Sequence, residues 1–151
     1  MPTSVVSRTA ATYIVWRKTV GGSAGDMLYS VTATPDGGFV MGGKSFSSDA
    51  DLKDIGSQKI KAFFIKSDAN GNIQWRQGLS GTKHSAVVDL TSNSSGDIYG
   101  TIECVCGDGE YASIEGTKNA KRTTVVAKLN SAGQIAWAQC FRDSGRTELF
   151  S

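Results

Sequence analysis

Two runs of carboxylates, three cysteines and a single histidine carry whatever chemistry this 151-residue chain has. Asp49, Asp51 and Asp54 fall within six residues, a spacing that suits calcium, yet the run lacks the central glycine and distal glutamate of an EF-hand. Asp108, Glu110 and Tyr111 lie in a second charged stretch with Glu115, Lys118, Lys121 and Arg122. These two stretches supply the candidate ligand-binding residues: Asp49, Asp51, Asp54, Asp108, Glu110 and Tyr111. Cys104 and Cys106 are spaced C-x-C, and no second ligand pair follows, so the pattern argues against zinc. Two residues apart at a strand end, they are expected to bridge only with strain and to remain buried or idle thiols, with Cys140 as an odd third. His84 is predicted to be an exposed turn residue, because no serine–histidine–carboxylate constellation accompanies it. No catalytic residue, metal ligand or cofactor fingerprint is assigned.

Other short patterns read as structure. Gly21-Gly22-Ser23-Ala24-Gly25-Asp26 lacks the lysine and helix of a phosphate-binding loop, so it is expected to be a crossing between strands. Glycine permits positive φ there, and Asp26 is expected to cap the turn through its side chain, with Ser85 and Thr147 at the same position. Asn93-Ser94-Ser95 matches a glycosylation acceptor in a turn.

What must position these residues is a repeat. Trp16, Trp75 and Trp137 are 59 and 62 residues apart. The stretches before them, SVVSRTAATYIVW (4–16), FFIKSDANGNIQW (63–75) and VVAKLNSAGQIAW (125–137), share an apolar run, a polar stretch and an isoleucine two before the tryptophan. Asn70-Gly71 and Ala132-Gly133 mark tight hairpins in two of the copies, Asn-Gly being read as a turn in which both residues tolerate positive φ. Gly37-Gly38 and Gly96-Asp97 mark two more. One unit of about 60 residues therefore holds four short strands. They are predicted at 27–33, 38–45, 62–67 and 72–78, and at 86–92, 97–104, 123–129 and 134–140. Two further strands are expected near 4–8 and 13–19, and one at 147–151. No stretch shows sustained helical periodicity.

The residues Trp16, Lys18, Gly21, Gly22, Ser23, Asp26, Tyr29 and Ser30, followed by Asp36, Gly37, Gly38 and Phe39, form a pattern that resembles the β-propeller repeats of large bacterial surface and secreted proteins. The resemblance implies an all-β chain of propeller blades: a partial blade over 1–20, full four-stranded antiparallel blades over 21–79 and 80–141, and a partial blade over 142–151. The strand after the Gly-Gly-Ser turn would line a central channel, and the tryptophan strand would be outermost. The second copy departs from the pattern, with Ser80-Gly81-Thr82 and then Ser85. Either the chain is a piece of a longer protein, or copies close a ring, the strand 147–151 of one joining the outer pair of another in a six-bladed dimer.

Composition bounds the partners. Sixteen basic against fourteen acidic residues give a net charge of +2, too small to imply nucleic acid or a membrane surface. No stretch approaches 18 apolar residues, and residues 1–16 lack the pattern of a signal peptide, although relatives of this kind are usually exported.

The expected function is a non-catalytic binding or scaffolding module taking a protein or a glycan, with itself as a further partner. The links 46–61 and 105–122 are its candidate binding surface, since long loops on a rigid repeat usually hold function. The alternatives are a carbohydrate-binding lectin, which predicts matching residues in each copy, and a hydrolase or lyase using inner-strand polar residues such as Ser30, Thr32, Asp89 and Thr91. The two links show no match to each other in sequence. The tryptophans are expected to pack between neighbouring blades rather than to stack on sugars.

Overall fold

The computed structural model describes residues 16–56, 59–118 and 122–141. They form eight strands: β1 (Asp26–Ala33), β2 (Phe39–Ser45), β3 (Ile60–Ser67), β4 (Ile73–Gly81), β5 (Ser85–Ser92), β6 (Ile98–Cys104), β7 (Thr123–Leu129) and β8 (Ile135–Phe141). The chain is all-β: β1 to β4 pair antiparallel in sequence order in one sheet, and β5 to β8 do the same in a second. Every strand expected between 27 and 140 is present with ends within three residues. The only helices among the described residues are the single 3-10 turns Ala50–Leu52 and Gly109–Ser113, one in each link. The strands expected at 4–8 and 147–151 lie outside the described residues, as do the first residues of 13–19. Residues 16–19 are described and are not in a strand.

All four hairpins use one turn. In Thr34–Gly38, Asp68–Asn72, Asn93–Asp97 and Asn130–Gln134, the first carbonyl accepts the fourth N–H and the first N–H donates to the fifth carbonyl. The fourth residue is glycine each time, with φ of 82, 80, 81 and 82°. This is a three-residue loop closed by a left-handed glycine. It corrects the two-residue reading of Asn70-Gly71, because Asn70 does not share the positive φ. In three of the turns the leading side chain (Asp68, Asn93, Asn130) accepts the N–H groups two and four residues on. Such Asx bonds favour the turn before any packing forms.

The sheets also share their irregularities. An extra residue interrupts pairing between Leu28 and Ser30 in β1, and between Val87 and Asp89 in β5. Another shift falls at Lys66/Ser67 and again at Lys128/Leu129. Bulges bend and twist a strand, so repeating them repeats the sheet's curvature.

The two sheets stack face to face. On the first, alternation puts Val40, Gly42, Ala62 and Phe64 on one side. They pack against Val87, Leu90, Ile98, Ile102, Val125 and Ala127 of the second sheet in one core. Gly42 and Gly100 permit the approach: a Cβ on Gly42 would lie 2.6 Å from Val87, and one on Gly100 2.4 Å from the Phe64 ring. The other side of the first sheet carries a second core, Phe63 and Ile65 under Leu52 and Ile55 of the link.

Candidate functional site

Two carboxylates of each link, Asp49 and Asp51, and Asp108 and Glu110, converge on the two crossings that lead into β1 and β5. At the first crossing four successive backbone N–H groups find side-chain acceptors. Gly21 donates to Asp51 Oδ2 (3.4 Å), Gly22 to Asp26 Oδ2 (2.8 Å), Ser23 to Asp49 Oδ1 (2.9 Å) and Ala24 to Ser47 Oγ (3.0 Å). The hydroxyls of Ser45 and Ser47 donate to the two oxygens of Asp26. Burial works to raise the Asp26 carboxyl, but the bonds from Ser45, Gly22 and Ser47 outweigh it and hold it below the usual range. The Ser23 N–H does the same for Asp49.

At the second crossing Ser80 N–H and hydroxyl both donate to Glu110 Oε2 (2.5 and 2.8 Å). Thr82 N–H donates to Asp108 Oδ1 (3.0 Å), and its hydroxyl donates to the other oxygen. The Thr82 hydroxyl and N–H lower the Asp108 pKa. Asp49 and Asp108 both precede a 3-10 turn with nearly the same extended backbone. Asp51 and Glu110 follow two residues on, then Leu52 and Tyr111, both buried. The links therefore match after all: each presents acid, small residue, acid and a large buried side chain to a crossing.

Asp26 caps its turn as expected, whereas Ser85 at the equivalent place does not. Its hydroxyl bonds to Leu79 O and to the Tyr111 hydroxyl instead. Burial pushes the Tyr111 phenol well above its ordinary pKa, so it stays neutral. Tyr111, 1% exposed, is closed to a ligand. Of the six candidate residues, five are thus held in the crossings. Asp54 stands apart on the exposed tip of its link at φ 61°, with no hydrogen bond among the described residues.

Cys104 and Cys106 form a disulfide, which corrects the expectation of idle thiols. Their Cα atoms lie 5.2 Å apart, within the ordinary range, because the chain turns away from β6 after Cys104. Cys140 is free, against the Thr123 hydroxyl. His84 is half-buried rather than exposed. Burial, then the nearby Lys44 charge, push its pKa down, so it is neutral at pH 7. Its Nε2 is 4.0 Å from Glu103, which pairs with Arg122. The Asn93 amide serves its own turn, donating to Asp97.

Each of the first two tryptophans makes the same contact. Trp16 Nε1–H donates to Ala69 O and Trp75 Nε1–H to Ser131 O, both at 3.0 Å. Ala69 and Ser131 are the same position of successive hairpins. A Cβ on Gly71 would lie 3.1 Å from the Trp16 ring, and one on Gly133 2.6 Å from the Trp75 ring. Beneath Trp75 is a cleft of about 170 Å³ with Asp36, Lys66, Ser94, Ser95 and Ser131. Lys66 Nζ is bound there by Asp36, Ser67 O and Gln74. The bonds from the Thr34 hydroxyl, Lys66 and Gly38 hold the Asp36 carboxyl far below its usual range. The cleft beneath Trp16, about 190 Å³, is lined instead by Val20, Val31, Phe39 and Met41. Neither cleft is legible in the sequence, because each needs residues from separate hairpins.

No protein-family model matches the chain, and no curated protein does. Among the described residues no group of three or more histidine, cysteine or acidic side chains is placed to hold a metal ion. No helix among them is long and apolar enough to cross a membrane. The arrangement fixes backbone: Asp49, Asp51, Asp108 and Glu110 each accept a hydrogen bond from an N–H group of a crossing.

Proposed function

We propose that this chain is a run of β-propeller blades working as a binding or scaffolding module. The observation that carries this reading is the interlock used twice with the same atoms, Trp16 on Ala69 and Trp75 on Ser131. Units that repeat their turns, bulges and mutual contact form a rigid array, and such arrays serve recognition through the loops they display. The binding surface is the exposed rim of the two links, including Lys53, Asp54, Ser113 and Glu115. The links meet at Ser80, which is bonded to Glu110 and lies against Gly56, so the rim is continuous.

The lectin alternative predicts like pockets in each unit. Among the described residues the cleft under Trp75 presents Asp36 and Lys66 and the cleft under Trp16 presents Lys18 and Ser67, an unlike set that disfavours it. The enzyme alternative rests on Asp89, whose carboxylate accepts from Ser30 Oγ of the first sheet at 3.3 Å. One acid and one hydroxyl lack the base or second carboxylate that hydrolysis needs.

A glycan array, a peptide array and a chromogenic ester and glycoside panel test the reading together. The expected result is binding without turnover, weakened about tenfold, some 1.4 kcal/mol, by combined Lys53→Ala, Asp54→Ala and Glu115→Ala at unchanged melting temperature. Turnover abolished by Asp89→Asn would replace the module with an enzyme.

A further inference from the structure

Among the described residues nothing covers one face of the second sheet, and that face carries the third tryptophan. Trp137 pairs with Lys128 as Trp75 pairs with Lys66, so both occupy one register position of their sheets. Trp75 is seated on the next hairpin; Trp137 is 44% exposed, and its Nε1–H has no acceptor among the described residues. Tyr99 stands beside it, ring centroids 6.4 Å apart. The internal interface defines what such a face accepts: a hairpin of the same repeat, offering a carbonyl at the position of Ala69 and Ser131. Beyond the two hairpins already engaged, the chain contains that repeat once more, at residues 4–16. Those residues lead directly into Trp16, which packs beside Phe39, on the side of the first sheet away from the second. Trp16 itself is engaged at the Ala69 hairpin on that far side, and a second copy can offer this stretch to Trp137.

We infer that the Trp137 face is an interface for a second copy of this chain, which seats its residues 4–16 there with Ala10 O accepting the indole N–H. This rests on the blade reading and names the module's partner as itself. Within residues 1–151 the described part offers one such face and the sequence one such stretch, so two copies of these 151 residues can satisfy both reciprocally. The contact is less tight than the internal ones, because Thr12 stands where Gly71 and Gly133 stand. A Cβ at that place presses on the ring, as the 2.6 Å approach at Gly133 shows.

Sedimentation of the full chain tests this. The wild type is expected at about 32 kDa, twice 15.9 kDa. Trp137→Glu on the exposed face, and separately Ile14→Glu in the seated stretch, are expected to give monomers with unchanged circular dichroism. Mixing those two variants is expected to restore a dimer, since one of the two contacts is then intact. Thr101→Arg, which adds bulk to the free face without touching the core, gives a second route to the monomer should Trp137→Glu misfold. Thr12→Gly is expected to tighten association several-fold. A monomeric wild type, an open-ended polymer, or a dimer that persists in folded Trp137→Glu or Thr101→Arg would overturn the inference. Any of those outcomes would leave the binding-module reading to be decided separately by the arrays and the enzyme panel.

Discussion

Leu28 and Val31 of β1 are 56% and 58% exposed, whereas Val87 and Leu90, at the same positions of β5, are 0% and 7% exposed. The backbone, the bulge and the apolar character are common to both strands. What differs is the neighbour: the first sheet covers Val87 and Leu90, and no described sheet covers Leu28 and Val31. Burial in these two strands is thus set by place in the stack rather than by the strand itself. The crossings show a second contrast. The first is held by Asp26 with Ser45 and Ser47, and the second places Ser85, Cys104 and Cys106 at those positions. One backbone is stitched once by a carboxylate and hydroxyls and once by a disulfide beside a tyrosine.

The largest test of the stacking compares Phe64 with Val126, its counterpart on the free face. Phe64→Ala is expected to cost about 3–5 kcal/mol in chemical denaturation, because the ring is buried between sheets. Val126→Ala, half-buried on the free face of the described chain, is expected to cost about 1 kcal/mol. Equal losses would break the comparison. The next test separates turn geometry from the tryptophan contact. Gly96→Ala and Gly133→Ala both place a side chain at φ near 80°, costing about 1–2 kcal/mol. Only Gly133 lies beneath a tryptophan, so its variant is expected to lose roughly another 1 kcal/mol and to shift Trp75 fluorescence.

The crossings give two smaller effects. Replacing Cys104 and Cys106 by serine is expected to cost about 1.5 kcal/mol, the loop-entropy value for so short a bridge. Hydrogen exchange should quicken around 82–85 and stay unchanged at 22–24. Acid should do the reverse. Asp26 and Asp49 titrate below their unfolded values, so their contribution is complete above about pH 4 and is lost as pH falls through the lower folded values. Amide protection at Gly22, Ser23 and Ala24 is expected to fall first, while the second crossing loses its Asp108 cap but keeps Tyr111 and the disulfide. Equal loss of protection at both crossings would contradict this assignment.

Most of the strand layout could be read from the sequence, because period-2 alternation and a turn glycine bracket each strand locally. The tryptophan spacing is accompanied by like turns and bulges in the two sheets. The links were harder. Asp49-Ala50-Asp51-Leu52 and Asp108-Gly109-Glu110-Tyr111 differ in three of four residues and sit in segments of unequal length, so their common task shows only once their N–H donors are in place. The available signal was an acid pair spaced by one residue, recurring 59 residues on. The disulfide and the half-buried His84 depend on where the chain turns after β6, which no local pattern specifies. The clefts under Trp16 and Trp75 arise between hairpins distant in sequence.

The Val40–Phe64 side of the first sheet lies against the Ile98–Ile102 side of the second. Proton–proton Overhauser contacts between the Phe64 ring and the α protons of Gly100 measure it most directly. Strong contacts are expected, because the ring lies where a Gly100 side chain would be. Their absence, with Phe64 instead meeting Tyr99 or Val126 on the opposite face, would contradict it.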